Sequence, residues 1–403
     1  MITIQQRPQT LSPVYNDMVY ILSSTNVSQT NFKFVVDIYE GATLVNRLLV
    51  PPHPTHLTGF VNIAPVLEGL ITQFPDKNVE DNDVSALVDF GLSYQCKFGE
   101  QYGSSGTIYP DLVTDTSAYT WGSVFDYPEY CTYSSGDYTA SVADPCQFLT
   151  NKATSGDIMI DDNAWLYWLR IVNAGNNGMA RISTYDSSGT LIQNAVVGGS
   201  FGAKGCRIPS GPRNINLIQS GSITGSIPII TASVAKYCVT VLDHPANQVP
   251  VTTSFWYTIV SNCSRYEKTR IQFLNKLGGY DFFNFTLVSK QASDIERTTY
   301  KKNLGSYTNA NSYAFSPSDR SRSQFYTKIV DRVTINSDWL SEDVYNWLEE
   351  LVTSPDVYVD NGTYLQPINI TNASFEQKKT VNQKLFNLTL EYTISYDRYR
   401  QRL

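Results

Sequence analysis

The apolar residues of this 403-residue chain come in short runs, and nearly every run is closed by Gly, Pro, Asn or Ser. A chain interrupted this often cannot sustain long helices, whereas alternation inside the runs suits strands half-buried on a sheet. MVYILSS from Met18, NFKFVVDIYEG and ATLVNRLLVPP are three such runs. Glu40-Gly41 is the hairpin point between the second and third. Pro51, Pro52 and Pro54 end the third, because proline has no N–H for a ladder. AWLYWLRIVNA, ARISTYDSSGTLIQNAVVGG with a Ser188-Gly189 turn, and INLIQSGSITGSIPIITASVAKYCVTVLDH continue the pattern. So do SFWYTIVSNCS, KTRIQFLNKLGGYDFFNFTLVSK with a Gly278-Gly279 turn, and SQFYTKIVDRVTIN. The expected fold class is mainly β: antiparallel β-sandwich domains with a few short helices.

GFVNIAPVLEGLITQF reads as a strand entering a short helix with Ile63, Val66, Leu67 and Leu70 on one face. The clearest helix lies near 341–353 in DWLSEDVYNWLEELVTS, with Ser341 as cap and Glu342 and Asp343 at the positive end of its dipole. Its apolar face is Val344, Trp347, Leu348 and Leu351, and Pro355 stops it. Three domains are expected: an N-terminal β domain over 1–75, a central β-rich domain over 76–245, and a C-terminal β domain with one packed helix over 246–403. Within the central domain, 121–162 is dense in Tyr, Ser, Asp and Gly without periodicity, which predicts a long protruding loop. Its aromatic residues Trp121, Tyr127, Tyr130 and Tyr133 are the candidates for glycan or partner contact, since sugar rings stack on aromatic faces.

Net charge is −7, so no overall positive field holds a phosphate backbone, and nucleic acid is not an expected partner. MITIQQRPQTLSPVYND lacks a basic n-region followed by an apolar h-region, and no run is long enough to cross a bilayer. The expectation is synthesis in a cytoplasm without membrane insertion. Cys96, Cys131, Cys146, Cys206, Cys238 and Cys263 are scattered without a C-x-x-C pair and read as buried reduced thiols. The seven Asn-x-Ser/Thr sequons, Asn26, Asn262, Asn284, Asn361, Asn369, Asn372 and Asn387, read as incidental in a chain rich in these residues.

Motifs for catalysis fail on context. Gly198-Gly199-Ser200-Phe201-Gly202 fits G-x-S-x-G, but Gly205, Pro209, Gly211 and Pro212 follow where a nucleophile elbow needs a helix. His53 and His56 sit in a proline-rich turn, and His244 is the only other imidazole. Asp81-Asn82-Asp83 lacks the glycine and closing glutamate of a calcium loop, while Asp161-Asp162 and Glu349-Glu350 are adjacent pairs that diverge in helix and strand alike; only a turn at Asp161 would bring a pair together. Neither a Walker A nor a Rossmann fingerprint is present. No catalytic residue, cofactor or metal is therefore expected. A basic cluster from Arg265 to Arg332 contrasts with an acidic stretch from Asp76 to Asp89; charges of opposite sign could steer head-to-tail contacts.

SPVYNDMVYILSSTNVSQTNFKFVVDIYEGATLVNRLLVPPHPTHLTGFVNIAPVLEGLI, FLNKLGGYDFFNFTL, DWLSEDVYNWLEELVTSPDVYV and PINITNASFEQKKTVNQKLFNLTLEYTISYDR resemble structural proteins of tailed phages that infect Bacteroidetes, including crAss-like phages. The resemblance covers both ends of the chain and leaves 75–245 unrecognised. It implies a virion protein of the tail hub, distal-tail or baseplate type, assembled in the host cytoplasm and located in the virion tail. A charge-poor, Tyr-rich chain of many short strands with free edges suits pairing in a ring, so a homo-oligomeric ring with other virion tail proteins as partners is the expectation. Other readings are a tail module that recognises a host surface glycan, a head-decoration or connector ring protein, and a polysaccharide depolymerase.

Overall fold

The computed structural model describes residues 1–71, 85–87, 90–139, 145–170, 179–198, 204–218, 223–242, 248–261, 265–371 and 386–400. They form a mainly β protein of several sheets with few short helices, as the run pattern requires. Two compact units result: Met1–Ser261 with Leu274–Asp281, and Asn262–Phe273 with Phe282–Leu403.

The first unit opens with a β-sandwich. A three-stranded sheet takes Ile2–Gln6, Val19–Ser24 and Gly59–Asn62 in spatial order. Facing it is a sheet in the order Leu11–Pro13, Ala118–Trp121, Gly91–Tyr102, Lys33–Glu40, Thr43–Val50, with Thr107–Thr114 also on Gly91–Tyr102. Tyr20, Leu22 and Val61 from one sheet and Phe34, Ile38, Cys96 and Phe98 from the other share one core. Lys33–Glu40 is central, and its near-continuous apolar run suits a strand covered on both sides. Asp37 interrupts that run. It is buried but accepts two bonds, at 2.6 and 2.7 Å, from Arg47 directly opposite, which satisfies both carboxylate oxygens.

The expected cut near Pro75 is corrected by this sheet, because Phe34 lies opposite Glu100 and Ile38 opposite Cys96. Residues on both sides of Pro75 therefore belong to one ladder. The first unit also runs past the expected cut at 245, to Ser261. Its remaining described strands make a sheet in the order Ser155–Met159, Phe255–Val260, Lys236–Leu242, Met179–Tyr185, Leu191–Gly198, Ile223–Thr224, and another of Trp165–Leu169, Gly205–Pro209 and Ser85–Leu87. Pairing is mostly antiparallel. Among the described strands, Ser155–Met159 pairs parallel with Phe255–Val260 and Leu11–Pro13 parallel with Ala118–Trp121.

Three turns sit where the glycines put them. Gly41, Gly189 and Gly278 have φ of +56°, +84° and +88°, which a glycine adopts without steric penalty. At Ser188-Gly189 the Asp186 carboxylate also accepts the backbone N–H of Ser188 and of Thr190, at 2.9 and 2.8 Å.

The second unit centres on a sheet in the order Tyr280–Phe285, Thr269–Leu274, Val357–Asp360, Leu365–Ile370, Thr389–Ile394, Arg322–Asn336, Lys290–Lys301, with Arg398–Tyr399 also on Arg322–Asn336. The helix expected near 341–353 is two short helices, Glu342–Trp347 and Glu349–Thr353, joined at Leu348. Trp347, Leu348 and Leu351 are buried with Ile271, Phe273 and Phe285, and Val344 packs at their edge. Ser341 makes no side-chain cap; its carbonyl accepts the Tyr345 N–H at 3.0 Å instead. In the earlier helix, Ala64–Glu68, Ile63 and Leu67 are buried but Leu70 is exposed, since the helix ends before it.

Candidate functional site

Two features carry the functional argument: a pocket in the first unit and a β-ribbon in the second. The pocket grows out of the parallel pairing of Leu11–Pro13 with Ala118–Trp121, which lays the N-terminal segment along the residues that follow Trp121. Val14 N–H then donates to Trp121 O at 3.0 Å, and Asn16 and Phe125 exchange two bonds, each 2.8 Å. Gln9 donates to Tyr133 O at 2.9 Å and accepts from Ser135 N–H at 2.8 Å. Residues 121–139 are thus stapled onto residues 9–17 and do not protrude. They include the helix Tyr127–Thr132 and a 3-10 turn at Ser135–Tyr138, and 155–159 is a strand. Residues 140–144 lie outside the described residues. The expectation of one long loop over 121–162 is corrected accordingly: its backbone groups find partners in a segment more than a hundred residues away, which periodicity cannot reveal.

The four nominated aromatic residues part ways. Trp121 has 0% exposure and cannot touch a ligand. Its indole N–H donates to Leu277 O at 3.0 Å, and its ring meets Tyr138 at 5.8 Å and Tyr133 at 6.4 Å between centroids. It is the centre of an aromatic core with Phe125, which lies 5.1 Å from Tyr133. Tyr127 is 80% exposed and stands apart from the pocket. Tyr130 and Tyr133, whose rings are 6.2 Å apart and 25° from parallel, line a pocket of about 320 Å³ together with Gln6, Arg7, Gln9 and Asp17. Tyr130 donates its hydroxyl to Asp17 O at 2.5 Å and Tyr133 to Leu11 O at 2.8 Å. Burial pushes both hydroxyls above their ordinary range, so they stay protonated and the rings stay pinned. Arg7 is held by the buried Asp115 at 2.6 Å, and Asp17 accepts from Asn62 at 2.6 Å.

The ribbon consists of Lys290–Lys301 and Arg322–Asn336 in antiparallel register from Lys290 opposite Thr334 to Lys301 opposite Arg322. Every residue of Lys290–Lys301 is exposed. At the base, Asp331 accepts from Arg398 Nε and Nη2 at 2.6 and 2.7 Å and from Ser293 at 2.7 Å. Arg398 first, and then Ser293, holds that carboxyl below its ordinary value. The last outside partners are Arg400, whose N–H donates to Thr327 O at 3.2 Å, and Tyr399, whose ring lies 6.3 Å from that of Tyr326. From Thr298 opposite Tyr326 outward, the two strands pair only with each other among the described residues. A small hairpin, Ser306–Asn309 with Ser312–Ala314, lies beyond their ends. There Tyr307 is 78% and Phe315 73% exposed, with Leu304, Tyr300, Tyr313 and Phe325 also exposed. Tyr313 holds the hairpin together, 5.0 Å from Tyr307 and 5.3 Å from Phe315, with its hydroxyl on Leu304 O.

A two-stranded ribbon is marginal in water by itself, and exposed aromatic groups at its end are unusual on a free surface. Charges along Lys290–Lys301, namely Lys290, Asp294, Glu296, Arg297 and Lys301, guard the open edge against indiscriminate strand pairing. The basic residues noted in the sequence concentrate here. Over 297–322 five cations, Arg297, Lys301, Lys302, Arg320 and Arg322, face one carboxylate, Asp319, for a local charge of +4. On a chain of −7 the remainder then carries −11.

Other sequence candidates resolve as follows. His53 and His56 stack at 4.8 Å, and His53 Nδ1 accepts two backbone N–H groups of its own turn. Asp162 is buried and accepts from Met159 N–H at 3.0 Å. Ser200, His244, Cys263 and Asp81 to Asp83 lie outside the described residues. After Gly198 the next described element is the strand Gly205–Pro209. Cys96, Cys146, Cys206 and Cys238 are buried and outside any disulfide, whereas Cys131 is exposed on the helix Tyr127–Thr132, against expectation. No group of three or more His, Cys, Asp or Glu suited to a metal occurs among the described residues. Nor is any described helix long and apolar enough to cross a membrane. No protein-family model matches this chain, and no curated protein matches it.

Proposed function

We propose that this chain is a structural subunit of a tailed-phage virion that acts by assembly and not by catalysis. It forms a homo-oligomeric ring of the tail hub, distal-tail or baseplate type and contacts other virion tail proteins. The observation that carries this reading is the ribbon: Lys290–Lys301 is exposed along its whole length, the two strands pair only with each other among the described residues from Thr298 and Tyr326 outward, and the far end presents exposed Tyr307 and Phe315. Its occupant is a second copy of the chain. A ribbon end of +4 meets a remainder of −11, so association steers the end of one copy onto the acidic surface of the next. Such a head-to-tail contact closes into a ring when the rotation between copies permits. The resemblance of the terminal segments to phage structural proteins supports the tail assignment.

Sedimentation velocity on the full chain tests the assembly directly. A closed oligomer is expected, dissociating at least partly when NaCl rises from about 0.05 to 0.5 M, because screening shortens the reach of the charges. Tyr307→Ser with Phe315→Ser should shift it to monomer without lowering the melting temperature. A parent protein that stays monomeric at all concentrations and salts, or a double variant that still assembles, would contradict the reading.

A further inference from the structure

We infer that the pocket between residues 6–17 and the helix Tyr127–Thr132 is a binding site for a neutral pyranose sugar. The inference is independent of whether the chain assembles. The pocket measures about 320 Å³, at the small end of ligand sites and suited to one or two sugar rings. Its wall contains two tyrosine rings whose hydroxyls are already committed to Asp17 O and Leu11 O. What they can still offer is apolar ring surface, the partner of the C–H face of a pyranose.

Charge decides the ligand class. Arg7 and Asp17 both line the pocket, so neither a free anion nor a free cation is favoured. The Arg7 guanidinium is further compensated by Asp115 at 2.6 Å. An uncharged ligand rich in hydroxyls uses both groups: Asp17 Oδ2 accepts nothing among the described residues while Oδ1 takes the Asn62 amide, and Gln6 adds a side-chain amide at the pocket wall. Fixed rings, one carboxylate, one guanidinium and an amide are the complement of a diol on a flat ring.

Saturation-transfer NMR followed by calorimetry on the full chain tests this. The probes are methyl glycosides of glucose, galactose, mannose, fucose, N-acetylglucosamine and N-acetylgalactosamine, with glucuronic acid as a charged comparison. At least one neutral glycoside should bind, and Gln6→Ala or Asp17→Asn should weaken it about tenfold or more with an unchanged melting temperature. Tyr127→Ala, outside the pocket, should bind like the parent. Absence of binding across the panel, preference for glucuronate, or equal binding by the pocket variants would each overturn the inference.

Discussion

Replacing Trp121 should damage the fold and leave sugar recognition to others. The side chain has 0% exposure, fills the centre of a cluster with Phe125, Tyr133 and Tyr138, and donates to Leu277 O at 3.0 Å. Truncation of a buried Trp to Ala costs about 3–5 kcal/mol through lost transfer energy and the cavity left behind. Leaving the Leu277 carbonyl without its donor adds about 1–3 kcal/mol. The two overlap, so Trp121→Ala should destabilise the first unit by roughly 4–6 kcal/mol. At about 2–4 °C per kcal/mol for a unit of this size, its melting should fall by roughly 10–20 °C. Trp121→Phe keeps most of the ring volume and loses the hydrogen bond, so about 1–3 kcal/mol is expected. Urea denaturation followed by far-UV circular dichroism measures both, because Trp fluorescence is altered by the substitution itself. A Trp121→Ala protein within about 1 kcal/mol of the parent would refute the burial argument. So would a stably folded Trp121→Phe that had lost glycan binding.

Three further predictions concern the second unit and the thiols. Arg398 and Ser293 depress the Asp331 carboxyl below its ordinary 3.8, so its stabilisation is complete above that unfolded-state value and is lost as pH falls through the lower folded-state value; melting of the second unit should drop below about pH 4 in the parent and be flatter there in Asp331→Asn. Trypsin should cut first at Lys301, Lys302, Arg320 or Arg322, where the ribbon is exposed and self-paired, and first cleavage inside the buried strand Lys33–Glu40 would contradict the ribbon's exposure. Among the described cysteines, thiol labelling with peptide mapping should find Cys131 alone reactive in the native protein, because burial pushes Cys96, Cys146 and Cys206 up to about 12 and seals them; early labelling of any of these three would count against their placement.

Local chemistry made part of this molecule readable. Glu40-Gly41, Ser188-Gly189 and Gly278-Gly279 announce hairpins because a turn with positive φ needs glycine, and the spacing of Trp347, Leu348 and Leu351 marks a packed helical face. Non-local pairing hid the rest. Phe34 opposite Glu100 joins two stretches across Pro75, and Trp121 is buried by a carbonyl 156 residues away. A Tyr, Ser and Gly-rich sequence has no period to betray such partners, so residues 121–139 looked like loop. KQASDIERTTYK carries no strand signal in its sequence because all its residues are exposed, and a strand with no buried face shows no alternation. Of the four nominated aromatic residues, Tyr130 and Tyr133 share the pocket, and only the structure separates them from buried Trp121 and outlying Tyr127.

The central claim is that this chain is a structural part of a phage particle. Its most direct test is mass spectrometry of gradient-purified particles, separated into heads and tails, from a phage that encodes it. The chain should be found in the tail fraction at a copy number consistent with a closed ring. Absence from purified particles, with a monomer in the lysate, would contradict the account.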